Sequence, residues 1–431
     1  MGTFAIIASI IFAIGYIGIA TEHRFHINKA AWALFTGSLL WAIVAISHTV
    51  GVIEMEEQLL ETGYEIFSLV VFLLAAMSLV EILISVGIFD ALRTKMLQYQ
   101  LTNRKQFLII MATVFVLSAI VDNLTATIIM IQIARKFFSG KNLVVAAAGI
   151  VIAANAGGAF SPIGDVTTIM LWIAGKFSAV EIITRAFIPS VVIGVVAYLM
   201  MRNKIDDQIS DDVPQEQAVH TFSKGKKIII GAAAISFIMP VLFKLIHLPP
   251  VLGILFGLGF TWLLVDLIEH NAKESKLSAR IESLIQKTDI ASIKFFIGIL
   301  LAVSALSSLG VLDVISGFVY GADQNESQII IGNIALGVIS SILDNIPLTA
   351  IAIDILQTEN TSLWVLLAIC VGTGGSLLSI GSAAGVVAMG LVKELTFKRY
   401  FQIAFVPALV SFLAGVAVWY GQLQLIGPLV G

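Results

Sequence analysis

Two stretches decide the fold of this chain, and they echo each other: VDNLTAT, Val121 to Thr127, and LDNIPLT, Leu343 to Thr349. Each sets an Asp-Asn pair inside a long apolar run. Each is followed by a second interrupted run, NAGGAFSPIGDVTT (Asn155 to Thr168) in one case and GTGGSLLSIGSAAG (Gly372 to Gly385) in the other. Laying Asp122 on Asp344 puts Asn123 on Asn345 and Thr127 on Thr349. Laying Gly164 on Gly381 puts Gly157-Gly158 on Gly374-Gly375 and Asp165 on Ser382. The Asp-to-Gly separations, 42 and 37 residues, are close but unequal, as in two diverged halves. Matching Gly/Pro-interrupted segments in two halves of a hydrophobic chain point to an inverted-repeat membrane transporter, with its ion site at the repeat interface.

Composition agrees. The chain is 58% hydrophobic and 12% charged, with a mean hydropathy of +0.99, whereas a soluble domain carries about 25% charge. Apolar runs of roughly 17–25 residues, the length of a transmembrane helix, recur along it. Short alternating segments of the kind that build a barrel are not seen. The first run, Phe4 to Ala20, has no basic leader and reads as a retained helix rather than a signal peptide. The single cysteine, Cys370, allows no internal disulfide and no Cys-based metal site. There is no basic tract for nucleic acid, and the bilayer is the expected partner.

In chain order, crossings are expected at Phe4–Ala20, Ala31–Val50 and, after an acidic stretch (Glu54, Glu56, Glu57, Glu61, Glu65), Ile66–Phe89. Residues 107–138 form two short arms around Asp122-Asn123, a re-entrant hairpin. Residues 143–174 are one crossing broken at Gly157, Gly158, Pro162 and Gly164, and Ile182–Met201 closes the first half. Residues 202–227 are a polar cytoplasmic linker. The second half, 228–431, has crossings at Ile228–Phe243, Val251–Ile268 and Ile293–Val311, with Asn271–Asp289 an amphipathic surface helix between the last two. A hairpin at 328–356, a crossing at 363–391 broken at Gly374, Gly375 and Gly381, and a last crossing at Phe401–Tyr420 complete it. The expected fold is therefore all-α and polytopic: two inverted repeats (1–201 and 228–431), each with five crossings plus one re-entrant hairpin.

Charge tests this arrangement. With each hairpin returning to its own side, 22 of the 25 Lys and Arg fall on one side, leaving Lys176, Arg185 and Lys244 on the other. Such a bias marks the cytoplasmic face and puts both termini outside.

A carboxylate at bilayer depth is expensive by at least a few kcal/mol and persists where it meets water, a cation, a proton or a donor. Asp122 and Asp344 are thus candidate ion-binding acids, the alternative duty being to cap the second arm of each hairpin. Asn123 and Asn345 add carbonyl oxygens, Thr127 and Thr349 hydroxyls. Such hard ligands suit a small alkali cation, with Na⁺ placed at Asp122, Asn123, Asp344 and Asn345. The broken crossings free backbone groups that only a cavity or protein surroundings tolerate. Asn155, Ser161 and Asp165 in one, and Ser379 and Ser382 in the other, are the polar side chains beside them. A low-dielectric site favours the protonated acid, and a bound cation the ionised one. Sodium and protons then compete for the same oxygens, and alternating exposure turns that competition into antiport.

VDNLTAT with NAGGAFSPIGDVTTIMLW, and LDNIPLTAIAI with GTGGSLLSIGSAAG, resemble the bacterial NhaD-type sodium/proton antiporters. These belong to the ion transporter superfamily that also holds dicarboxylate carriers and arsenite permeases. The resemblance covers essentially the whole chain. It implies export of Na⁺ or Li⁺ in exchange for H⁺ across the bacterial inner membrane, without catalysis or cofactor, and a homodimer. It also implies that the two hairpin tips and the two broken crossings bind the ions. A sodium-coupled dicarboxylate or anion carrier, or an arsenite-type permease, is the rival reading. The Ser-Asn-Thr tips of the dicarboxylate branch are not reproduced here. An anion would also face two or three acids, with no intramembrane Arg placed to offset them.

Overall fold

The computed structural model describes residues 2–22, 27–97, 101–207, 222–272 and 290–426. The expected surface helix at 271–289 and most of the linker lie outside the described residues. The rest is helical. In the first half α1 (Thr3–Ala20), α2 (Lys29–Ser47), α3 (Val52–Val86) and α4 (Ile88–Leu97) are followed by α5 (Asn103–Ser118) and α6 (Asn123–Ala134). Then come α7 (Gly140–Gly158), α8 (Val166–Ile173) and α9 (Ala179–Met201). The second half has α10 (Lys224–Ser236), α11 (Met239–Leu245), α12 (Pro250–Ala272), α13 (Ile290–Ser308) and α14 (Val311–Tyr320). It continues with α15 (Glu326–Ile339), α16 (Asn345–Ile355), α17 (Thr361–Gly374), α18 (Ala383–Leu391) and α19 (Phe397–Ile426).

Among the described residues seven helical spans are long and apolar enough to cross a membrane, or eight if α13 and α14, bent by 93°, count as one. Of the ten expected crossings, the other two correspond to α1, which is shorter, and to the α17–α18 pair. The arms α5, α6, α15 and α16 have 16, 12, 14 and 11 residues. At 1.5 Å per residue they are roughly 16–24 Å long, short of the ~30 Å hydrocarbon core. None can span alone.

Three details differ from the sequence reading. The acidic stretch is not a separate segment but the first turns of α3, a helix of 35 residues, because Glu is a good helix former. The crossing expected at Ile228–Phe243 is two helices, with Pro240 starting the second, where its missing N–H is harmless. Between Val311 and Gln328, where the sequence reading assigns no element, α14 turns away from α13 at Gly310, whose φ of +67° glycine adopts without strain.

Packing between hairpin and broken crossing recurs in the two halves. Ser118 Oγ donates to the Ala154 carbonyl at 2.7 Å, and Ser340 Oγ to the Val371 carbonyl at 2.9 Å. A Cβ on Gly157 would strike the Phe115 carbonyl, and one on Gly374 the Gly337 carbonyl. A Cβ on Gly164 would strike the Ser118 carbonyl, and one on Gly381 the Ser340 carbonyl. These glycines let the first hairpin arm lie backbone to backbone against the break, the close approach that small residues permit in membranes. Around them α7 and α17 are almost wholly buried, so the two broken crossings form the centre of the molecule. α9 packs on α19, and α2 on α13.

Candidate functional site

Each hairpin turns at its Asp. Asp122 is the N-cap of α6: its carboxylate accepts from Thr125 N at 2.8 Å and Thr125 Oγ1 at 2.6 Å. Asp344 is the N-cap of α16 and accepts from Ile346 N at 3.2 Å. The capping duty is therefore real for both, and it does not exhaust either carboxylate. Both are half-buried. Asp344 Oδ2 also lies 3.2 Å from Lys29 Nζ.

Each broken crossing offers a second cap. Asp165 begins α8 and Ser382 begins α18, yet neither side chain makes a capping bond to the backbone N–H groups of its own helix. Both have a partner from the other part of the chain, Asn345 for Asp165 and Asn155 for Ser382. Asn155, fully buried on α7, is the hub. Its Oδ1 accepts from Asn123 Nδ2 at 3.0 Å and from Ser382 Oγ at 3.2 Å. Its Nδ2 lies 2.8 Å from Ser376 Oγ and 3.0 Å from Ser382 Oγ. Tyr400 OH donates to the Ser376 carbonyl at 2.6 Å, fixing that segment from behind. On the other side of the pair, Asp165 Oδ2 accepts from Thr167 Oγ1 at 3.0 Å and from Asn345 Nδ2 at 3.5 Å. Asp165 is 2% exposed, a carboxylate whose hydrogen-bond partners are a hydroxyl and an amide.

The structure thus brings these residues into two buried polar clusters, Asn123 with Asn155, Ser376 and Ser382, and Asp165 with Thr167 and Asn345, which together draw on both hairpin tips and both breaks. Asp122 interacts electrostatically with Asp165 but makes no hydrogen bond to the centre among those described. Thr349 is buried and donates to its own helix, at the Asn345 carbonyl. Ser161 is buried and accepts a long bond, 3.4 Å, from Ile163 N within the break. Thr127, one turn past Asn123, and Ser379, in the second break at φ +67°, are fully buried with hydroxyls that have no hydrogen-bond partner among the described residues. Such orphans are uncommon and costly, and a cation, or a water donating to them, would use their lone pairs.

Three contributors were not singled out from sequence. Ser376 and Thr167 stand inside the quoted motifs, one residue past Gly375 and two past Asp165, but hydroxyls in a membrane helix carry little signal of their own. Lys29 lies in the loop preceding the second crossing, more than three hundred residues from Asp344, and nothing local marks it.

Cavities approach this centre along different elements. The larger, about 810 Å³, is lined by Glu54, Glu61 and Glu65 of α3, Asp313 of α14 and Asp354 of α16, and reaches Met170 and Ile173 of α8. From there α8 runs about 12 Å back to Asp165. The smaller, about 240 Å³, is lined by Tyr16, Glu22, Lys29 and Asp344, and touches Leu124 and Ile380 beside the tip of the first hairpin and the second break.

Comparison with known proteins follows the same lines. A family model described as a citrate transporter matches residues 16–372. Sodium/proton antiporter 1 of Arabidopsis thaliana is 35% identical over 425 residues, covering 95% of this chain and 71% of the plant protein. Sodium/proton antiporter 2 of the same plant is 33% identical, covering 95% and 98%. The Na(+)/H(+) antiporter NhaD of Vibrio cholerae is 32% identical, covering 90% of this chain and 85% of its own. A buried acid among amide and hydroxyl oxygens, held by paired hairpin tips and broken helices, is common ground with a carrier rather than an enzyme, and the chain belongs to the NhaD-type sodium/proton antiporters within the broader citrate-transporter family.

Proposed function

We propose that the chain is a secondary antiporter that exports Na⁺, and Li⁺ with it, in exchange for H⁺ by alternating access across a bacterial inner membrane. The observation that carries this reading is the convergence on Asp165. One ionisable oxygen pair, deeply buried, meets the amide of Asn345 and the hydroxyl of Thr167, while Asn123, Asn155 and Ser382 bond one another in a second buried cluster built on the same two breaks. A carboxylate so placed needs either a cation or a proton to offset its buried charge, which is the exclusive choice antiport requires. Asp165 stands at the N-terminus of α8, whose dipole steadies the acid while the cation is away. An anion would have to share that space with Asp165, which argues against an anion cargo despite the name of the matched family model.

Asp122 and Asp344 extend the site as acids at the tips, with Asn123, Thr127, Asn155, Ser161, Thr349, Ser379 and Ser382 supplying neutral oxygens. We further infer two inverted repeats, residues 1–201 and 228–431, joined by a cytoplasmic linker, with both termini periplasmic. The duplicated contacts Ser118–Ala154 and Ser340–Val371 support the repeat, and the distribution of Lys and Arg supports the orientation. A homodimer is the expected assembly. The deciding experiment is cation-dependent ΔpH in proteoliposomes across Na⁺, Li⁺ and K⁺. Proton movement driven by Na⁺ and Li⁺ is the expected result; sodium uptake without opposing proton movement, or stimulation by a dicarboxylate, would reject it.

A further inference from the structure

Lys29 occupies an unusual place. It is the first residue of α2, behind the Asn28 cap whose side chain accepts from Ala30 N at 2.8 Å. A cation at a helix N-terminus opposes the helix dipole, so this position does not serve the helix. The ammonium instead lies 3.2 Å from Asp344 Oδ2, with side-chain exposures of 27% and 21% for the two residues, and 4.4 Å from the centre of the Phe295 ring on α13. Asp344 is where the dipole favours a negative charge, at the start of α16. The pair therefore joins α2, which packs on α13, to the tip of the second hairpin.

The surroundings are built for exchange rather than for a permanent bridge. The pair lines a cavity of about 240 Å³, room for several water molecules. Tyr16, in the same cavity, carries a buried hydroxyl beside Asp344. Glu22 lines it too, and its Oε1 already accepts from Lys29 N at 3.0 Å. The lysine stem thus stands between two carboxylates, Asp344 within the tip and Glu22 beside its own backbone. Leu124, next to the Asp122-Asn123 tip, and Ile380, in the second break, close the inner end.

We propose that Lys29 is the resident counter-cation of Asp344, which the transported cation displaces toward Glu22. This inference rests on the antiport reading. With no cation bound, the ammonium offsets the Asp344 charge and ties the hairpin tip to α2. An unpaired carboxylate left there would be strongly unfavourable, so the tie yields only to another cation. Na⁺ or Li⁺ entering the cavity takes the carboxylate, with the Tyr16 hydroxyl as a further oxygen ligand, and Lys29 swings to Glu22. Loading the cation and freeing the hairpin from α2 are then one event, which hinders movement of an empty, negatively charged tip.

Two measurements on the full-length purified protein test this. First, acylation of the Lys29 amine by a water-soluble succinimidyl ester is followed by mass spectrometry at constant pH and ionic strength, with choline replaced by sodium. Sodium should raise Lys29 modification about threefold or more in the wild type, without any variant having to fold; an unchanged or reduced rate overturns the proposal. Second, ²²Na⁺ binding is compared among wild type, Lys29→Gln and Lys29→Arg. Lys29→Gln should bind sodium at least about fivefold more tightly and Lys29→Arg much as the wild type; equal or weaker binding by Lys29→Gln overturns it. A wild type that binds no sodium removes the antiport reading itself. A wild type that binds sodium with neither effect removes only the role of Lys29.

Discussion

Asn155 of one broken crossing and Ser382 of the other hold each other across the centre of the molecule, with the serine hydroxyl 3.0 Å from the amide nitrogen and 3.2 Å from the amide oxygen. The corresponding pair on the opposite side is Gly372 and Asp165, where a Cβ on the glycine would sit 3.3 Å from the carboxylate. One side of the site is a closed amide-hydroxyl clasp, and the other carries the charge. A double-mutant cycle should expose the clasp. Asn155→Ala and Ser382→Ala should each raise the half-saturating sodium concentration about fivefold. Combined, they should do little more than the worse of the two, with a coupling of about 0.5–1.5 kcal/mol in thermal stability. Fully additive losses would show that the two do not act together.

Asp165→Asn preserves the shape of the side chain and its ability to meet Thr167 while removing the proton site. Sodium-dependent proton release from inverted vesicles should fall at least about a hundredfold, with expression and monodispersity unchanged. Asp122→Asn and Asp344→Asn should each abolish the same signal. Asn is as good an N-cap as Asp, so α6 and α16 should still form and the loss should be one of transport. Normal exchange in any of the three would remove that acid from the mechanism.

The glycine contacts predict a sharp positional effect. Gly157→Ala and Gly374→Ala each drive a methyl group into a carbonyl of the neighbouring hairpin arm, a backbone atom that cannot step aside. Overpacking of this kind costs about 1–3 kcal/mol. Both variants should show lower melting temperatures in detergent and weakened transport. Gly231→Ala, on α10 with open space around it, should behave as wild type or slightly better. Equal tolerance at all three positions would contradict the close approach.

Orientation can be read by labelling. In a Cys370→Ala background, cysteines at Glu359, exposed between α16 and α17, and at Lys136, exposed after α6, should react from opposite sides. Glu359→Cys should be modified only from the periplasm and Lys136→Cys only from the cytoplasm. Modification of both from one face would break the inverted arrangement of the hairpins. Cys370 itself is fully buried and should react with neither reagent.

Much of this molecule is written locally. Apolar run length announces spanning helices, because the bilayer sets one length for all of them. Asp-Asn pairs and Gly-Gly steps inside such runs announce hairpin tips and breaks, because no other use of them tolerates the hydrocarbon. Other features escaped that reading. The acidic turns of α3 looked like a loop because local charge does not show whether a helix continues beyond the membrane. α14 was missed because a short amphipathic helix after a 93° bend lacks the length signal that marks a crossing.

What the sequence by itself determined is that four polar interruptions exist, that they fall into two sets of similar motif, and that each set holds hard oxygen ligands of the type an alkali cation takes. What only the tertiary structure decided is who meets whom. Asn345 reaches Asp165 of the other half, Asn155 bridges to Ser376 and Ser382, and Lys29 rather than solvent faces Asp344. The reason is physical: helical periodicity and hydropathy are short-range properties of the chain, whereas pairing across the centre depends on how two broken helices cross, which is fixed by packing between residues hundreds of positions apart.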